Sequence, residues 1–194
     1  MNEASPQVIV IAGPNGAGKT TLAPFLLRDK LGLLEYVNAD PIAHGLSGFD
    51  PASVALQAGR VMLSRLHDLA QQRKTFAFES TLAAKHYAGW IKKLRNEGYA
   101  FQLMFLSLQS PDLAVQRVRE RVKAGGHDVG EQVIRRRHSA GLRNFWELYM
   151  PLADAWAVYD TSESEHSLIA RGDRDVPLLV YDKRSWVSFS LTKP

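Results

Sequence analysis

The strongest constraint in this chain is the run Val8-Ile9-Val10-Ile11-Ala12 leading directly into Gly13-Pro14-Asn15-Gly16-Ala17-Gly18-Lys19-Thr20-Thr21. The first five residues are apolar and mostly β-branched, as a buried strand requires. Gly13 to Thr20 fit G-x-x-x-x-G-K-T, the phosphate-binding P-loop. Such a loop turns its backbone N–H groups inward around an anion, so it needs glycine where φ becomes positive and where no side chain can intrude. Lys19 then supplies a point charge for the β/γ-phosphates, and the Thr20 hydroxyl supplies an oxygen for Mg²⁺. A helix expected from Thr20 to about Asp29 aims its positive end at the same phosphates. The sequence therefore predicts ATP–Mg²⁺ binding, with Gly13, Pro14, Asn15, Gly16, Ala17, Gly18, Lys19, Thr20 and Thr21 as the cradle.

With 194 residues, 45% hydrophobic and 23% charged, the chain suits one α/β domain with a full core. Its apolar runs, such as Val8–Ala12 and Leu103–Leu106, are far too short for a membrane span. Met1–Gln7 carries no basic and apolar leader pattern. The sequence has no cysteine, which excludes disulfides and thiolate chemistry and suits a cytoplasmic location. The net charge of +4 is uneven: residues 117–143 hold eight Lys/Arg against Glu120, Asp128 and Glu131. Within a P-loop protein this cluster is read as serving the phosphates in transfer, since no nucleic-acid-binding signature accompanies it.

No repeat or linker interrupts residues 1–194, so one domain is expected. Strands are read at Gln7–Ala12, Glu35–Asn38, Thr75–Phe78, Ala100–Leu108, Trp156–Asp160 and Ser167–Ala170. Helices are read from Pro51, capped by Asp50, to about Gln72; from His86 to Asn96; from Ser110-Pro111-Asp112 to Lys123; and from about Gly130 through Tyr149, stopping before Pro151. The alternation predicts a three-layer P-loop NTPase fold, a mostly parallel sheet flanked by helices, with a small basic helical lid at about 117–143. The tail, 171–194, receives no clear assignment.

Parallel sheets place chemistry at the carboxyl ends of their strands, and three acids fall there: Asp40, Glu79 and Asp160. Phosphotransfer uses one carboxylate to accept the proton of the attacking hydroxyl and often another to hold Mg²⁺. Asp40 is read as ending the second strand, taken as the neighbour of the P-loop strand. Glu79 ends Phe76-Ala77-Phe78 as the acid of a Walker-B-like strand. Asp160, followed by Thr161-Ser162, reads as loop chemistry.

Together these pieces resemble the zeta-toxin family of P-loop kinases. The resemblance is carried by Gly13–Thr21, Val37-Asn38-Ala39-Asp40, Glu79-Ser80-Thr81-Leu82, Gly125-Gly126-His127-Asp128-Val129 and Ile134-Arg135-Arg136-Arg137, over about residues 7–170. It implies a kinase whose best-described members phosphorylate UDP-N-acetylglucosamine, some of them paired with an antitoxin protein. It also implies Lys19 and Thr20 for triphosphate and Mg²⁺, Asp40 as acceptor base, and Glu79 and Thr81 on the acid and substrate side. Arg121 and one of Arg135 or Arg136 match the lid arginines at the γ-phosphate. Two departures stand out. Ser80 and Ala83 replace the glycine and arginine of the family's E-G-T-L-R, leaving Lys85 as the nearest substitute charge, and Gly130 replaces a proline. The competing readings are a kinase for another metabolite or an antibiotic, and a silent nucleotide-binding module that engages a partner. Leu46-Ser47-Gly48-Phe49 lacks what an ABC-type signature needs.

Overall fold

The computed structural model describes residues 5–126, 128–163, 166–174 and 176–194. His127 and the first four residues of the amino-terminal stretch lie outside them. The strands are β1 (Gln7–Ala12), β2 (Tyr36–Val37), β3 (Phe76–Ser80), β4 (Ala100–Ser107), β5 (Ala155–Asp160), β6 (Ser167–Asp173) and β7 (Leu179–Val180). The helices are α1 (Lys19–Ala23), α2 (Ala39–Leu46), α3 (Ala55–Gln71), α4 (His86–Asn96), α5 (Pro111–Lys123), α6 (Glu131–Asn144) and α7 (Lys183–Ser190). α1 continues through Asp29, and α6 through Tyr149, as more widely wound turns. Among the described residues no helix is long and apolar enough to cross a membrane.

The sheet order is β2-β3-β1-β4-β5-β6-β7. β1 to β5 run parallel, β6 runs antiparallel to β5, and β7 pairs antiparallel with β6. The switch in direction follows from the short link after Asp160, which leaves no room for a crossover helix. β3, not β2, neighbours β1, so the expected order of the second strand is corrected. The register sets Ile11 beside Glu79 and Ala12 beside Ser80, and this brings Glu79 to the mouth of the P-loop.

Alternation along the central strands fills two cores. Val8, Val10, Phe76, Phe78, Phe101, Leu103 and Phe105 meet Met62 and Leu66 of α3, Ile91 of α4 and Phe145. Ile9, Ile11, Ala77 and Leu106 meet Ala23, Leu27, Ala114, Val118 and Ile134 on the other face. The four strand phenylalanines are fully buried, and truncating one to alanine costs about 3–5 kcal/mol. α6 belongs to both layers. Its Ile134 lies in the second core while Phe145, just past its end, lies in the first, so the helix crosses the carboxyl edge of the sheet.

Several boundaries differ from the sequence reading. Asp50 does accept from the Ser53 amide at 3.3 Å, but it closes a separate turn, and α3 begins only at Ala55. The segment after Tyr149 does not stop at Pro151; a tight turn spans Met150–Leu152, where proline's missing N–H is not needed. β6 extends to Asp173. The tail forms β7 and α7, whose Trp186 stacks on Trp156 at 5.8 Å.

Candidate functional site

The phosphate cradle grows out of β1. Gly13 has φ 144° and lies so close to β4 that a Cβ would stand 2.3 Å from the Leu106 carbonyl oxygen. Gly18, with φ 76°, turns the chain into α1 in a left-handed conformation that side chains disfavour. Lys19 is buried, and its Nζ donates to the Gly13 and Pro14 carbonyls at 2.9 Å each. Its ammonium also lies 3.7 Å from Glu79 Oε1. Burial pushes the Lys19 pKa down, the Glu79 and Asp40 charges oppose that, and the Arg121 charge adds to it.

Glu79 is the hub of the site. Its Oε2 accepts from Thr20 Oγ1 at 2.9 Å, from the Tyr36 hydroxyl at 2.7 Å and from Asn38 Nδ2 at 2.8 Å. Burial and the adjacent Glu79 carboxylate raise the Tyr36 phenol pKa, so it stays a proton donor. Asn38 works in two directions, because its Oδ1 caps α2 by accepting from the Asp40 amide at 2.9 Å. Asp40 therefore stands in the first turn of α2, past the end of β2, which corrects the reading that it ends a strand. Asparagine followed by Pro41 inside the first turn is a helix-start signal.

Oxygen donors of this kind suit magnesium, which takes one or two protein oxygens and completes its shell with phosphate and water. Thr20 and Glu79 fit that ion. Among the described residues no cluster of three or more His, Cys, Asp or Glu offers a protein-only metal cage.

The basic segment divides in two. Arg121 lies near enough to act on Lys19, and the chain folds back over it at Gly126, where a Cβ would meet Arg121 Cγ at 2.6 Å. Arg137 is half-buried; burial and the neighbouring Arg136 lower its pKa, and Asp40 raises it. Arg136 is exposed beside it. Arg135, expected at the γ-phosphate, instead pairs with Asp112 at 2.7 Å and with Glu131 at 2.8 Å between α5 and α6. Arg135 is thus engaged between α5 and α6, while the Asp40 charge acts on Arg137. Three consecutive arginines point three ways around a helix, and only the fold selects among them.

Thr81 lies two residues beyond Glu79, with its carbonyl against Gly141 of α6. Lys85 is exposed at the start of α4. Asp160 accepts from the Ser162 amide at 2.8 Å, the loop role its neighbours suggested. Tyr36 and the second duty of Asn38 are contacts the sequence reading did not name.

The sheet order and the Lys19–Thr20–Glu79 cluster define a three-layer P-loop nucleotide-binding protein. A family model described as an AAA domain matches residues 8–147, and the chain belongs to that family. An "uncharacterized protein" of Haemophilus influenzae is 27% identical over 132 residues, covering 68% of this chain and 92% of its own. A chain of the AvrRxo1-ORF1:AvrRxo1-ORF2 complex solved with sulphate ions superposes with TM-score 0.78 at 16% identity over 100% of this chain. The same complex solved with ATP gives 0.71 at 14% identity, again over 100%. This chain spans 65% of the length of that neighbour in each. The PezAT chromosomal toxin–antitoxin system of Streptococcus pneumoniae gives TM-score 0.67 at 17% identity, covering 91% of this chain and 76% of that one. At such identities the likeness is one of fold, that of P-loop kinases.

Proposed function

We propose that the protein is an ATP- and Mg²⁺-dependent small-molecule kinase of the zeta-toxin type. It moves the γ-phosphoryl group to a hydroxyl of a polar metabolite, with a UDP-N-acetyl amino sugar as the leading candidate. One observation carries the reading: Glu79 is bonded both to Thr20 of the phosphate cradle and to Asn38, which caps the helix bearing Asp40. Phosphate and acceptor groups thus share a single hydrogen-bonded frame, as an in-line displacement requires.

In this reading the acceptor oxygen attacks the γ-phosphorus, the bond to the β-bridging oxygen breaks, ADP leaves, and Asp40 takes the hydroxyl proton. Lys19 holds the β/γ-phosphates, while Arg121 and Arg137 meet charge that develops on the equatorial oxygens. Thr20 and Glu79 would hold Mg²⁺, which would neutralise charge on the phosphates. The ATP-containing AvrRxo1 structure supports the nucleotide, and the likeness to the PezAT toxin–antitoxin system supports an antitoxin partner for a cytoplasmic enzyme. Ala83 favours a second acceptor, another metabolite or an antibiotic, since the bidentate clamp of an arginine is missing there and Lys85 is no geometric substitute.

The test is ATP consumption with product mass, run in parallel on UDP-N-acetylglucosamine, other nucleotide sugars, free sugars, nucleosides and aminoglycosides. A phosphorylated nucleotide sugar is the expected product. Transfer only to a nucleoside or antibiotic rejects the sugar acceptor, and transfer to none of the panel rejects the acceptor side as read.

A further inference from the structure

We propose that Asn144 and Gly141, on the carboxyl half of α6, are positioning residues that hold the loop 80–84, and with it Thr81, in its working shape. The purpose assigned to that loop rests on the kinase reading above; the clamp itself does not.

The loop has an unusual backbone. Leu82 has φ 56° although it is a fully buried, bulky residue, a conformation seldom adopted without support. The support comes from 62 residues away. Asn144 Nδ2 donates to the Leu82 carbonyl at 2.7 Å and to the Ala83 carbonyl at 3.3 Å. Within the loop, Ser80 Oγ accepts from the Leu82 amide at 3.0 Å. The Tyr149 hydroxyl, beyond the end of α6, donates to the Ala84 carbonyl. The Ser80 carbonyl accepts from the Gly13 amide at 3.2 Å, so the loop is bonded to the P-loop on one side and to α6 on the other.

Asn144 is not there for packing. It is completely buried, and its Oδ1 has no hydrogen-bond partner among the described residues. Reversing the amide would face that oxygen against two carbonyls, so the observed orientation is forced. A leucine would fill the same space without burying an unsatisfied acceptor. The amide is useful here through the two bonds it donates. Gly141 serves the same contact, because a Cβ at that position would stand 2.2 Å from the Thr81 carbonyl oxygen. Positions 137, 141 and 144 share one helical stripe of α6, so Arg137 lies on the same face as the two residues that grip the loop after Glu79.

The experiment compares the full-length wild type with Asn144→Leu and Gly141→Ala. Three quantities are read: hydrogen exchange of residues 80–86, the melting shift given by ATP–Mg²⁺, and turnover with UDP-N-acetylglucosamine as acceptor probe. Expected is exchange at 80–86 raised about tenfold with the rest of the sheet unchanged, and an ATP shift that is retained. The acceptor KM should rise about tenfold while the ATP KM holds. Wild-type exchange at 80–86 in both variants overturns the proposal. So does exchange raised throughout the sheet, or loss of the folded state in both, which would make these residues core elements only. Absence of transfer to the sugar by the wild type rejects the acceptor assignment, while the exchange pattern still decides the clamp.

Discussion

In the proposed reading the phosphate side of the cleft comes from one continuous stretch, Val8–Thr21, whereas the acceptor side collects Tyr36 and Asn38, Asp40, Glu79 and Arg137 from β2, α2, β3 and α6. The first is local chemistry: a strand, a glycine-bearing loop and a helix start, with Lys19 bonded back onto its own loop. The second exists only when distant elements meet, and Glu79 is where they do. Damage to the two sides should therefore look different. Phosphate-side changes remove the nucleotide, and acceptor-side changes leave it bound but unused.

Lys19→Ala gives the largest effect. Turnover should fall by roughly 10³-fold, and the melting shift with ATP–Mg²⁺ should largely vanish because the fixed charge at the phosphates is gone. A preserved shift in differential scanning fluorimetry would place the phosphates elsewhere. Asp40→Asn tests the other side. It keeps size and hydrogen bonding but cannot take a proton, so turnover should drop about 10²-fold with the ATP shift intact. Near-normal turnover would move the base to Glu79 and collapse the distinction between the two sides.

The arginines sharpen the comparison. Arg121→Ala and Arg137→Ala should each depress kcat by about tenfold or more with little change in the ATP KM, since they meet charge that develops in transfer. Arg135→Ala should stay within about twofold, as its solvent-screened pairs with Asp112 and Glu131 lie between α5 and α6. Steady-state kinetics that reverse the ranking of Arg137 and Arg135 would restore the sequence-based assignment.

The smallest effect is on pH. His138 lies half-buried with Nε2 3.3 Å from the Leu108 carbonyl, and burial lowers its pKa below the ordinary 6.5. The unfolded chain then binds a proton that the folded one refuses. Stability is thus full above about pH 6.5 and declines as pH falls through that value toward the folded pKa. His138→Gln should flatten this part of a melting-temperature profile and leave the ATP shift untouched. An unchanged profile would remove His138 as its cause.

Most of the frame was legible in the sequence, because period-two apolar runs and helix caps are local signals. Ser110 caps α5 and Gly98 closes the turn after α4 as expected, the latter with φ 90°. Asp40 was assigned to the wrong element: Tyr36–Val37 is so short a strand that its end and the start of α2 merge in sequence. Tyr36 carried no signal, since a tyrosine in a strand reads as packing until Glu79 arrives from β3. Choosing among Arg135, Arg136 and Arg137 needs the rotation of α6, which is set by Ile134 in the second core. The tail escaped because its helix is organised by Trp156 and Trp146, from elements far upstream.

The central seat of β1 also bears on how the polypeptide is made. Gln7–Ala12 is flanked by residues 76–80 and 100–105, so the strand that launches the P-loop has no complete set of partners until synthesis has passed Phe105. At about 5–20 residues per second, that is an interval of roughly 5–20 s. During it an apolar, β-branched segment waits near the amino terminus as a target for chaperones or for a neighbouring nascent chain. Nor is the nucleotide site complete during the wait, because Glu79 reaches Thr20 and Lys19 only once β3 has paired with β1.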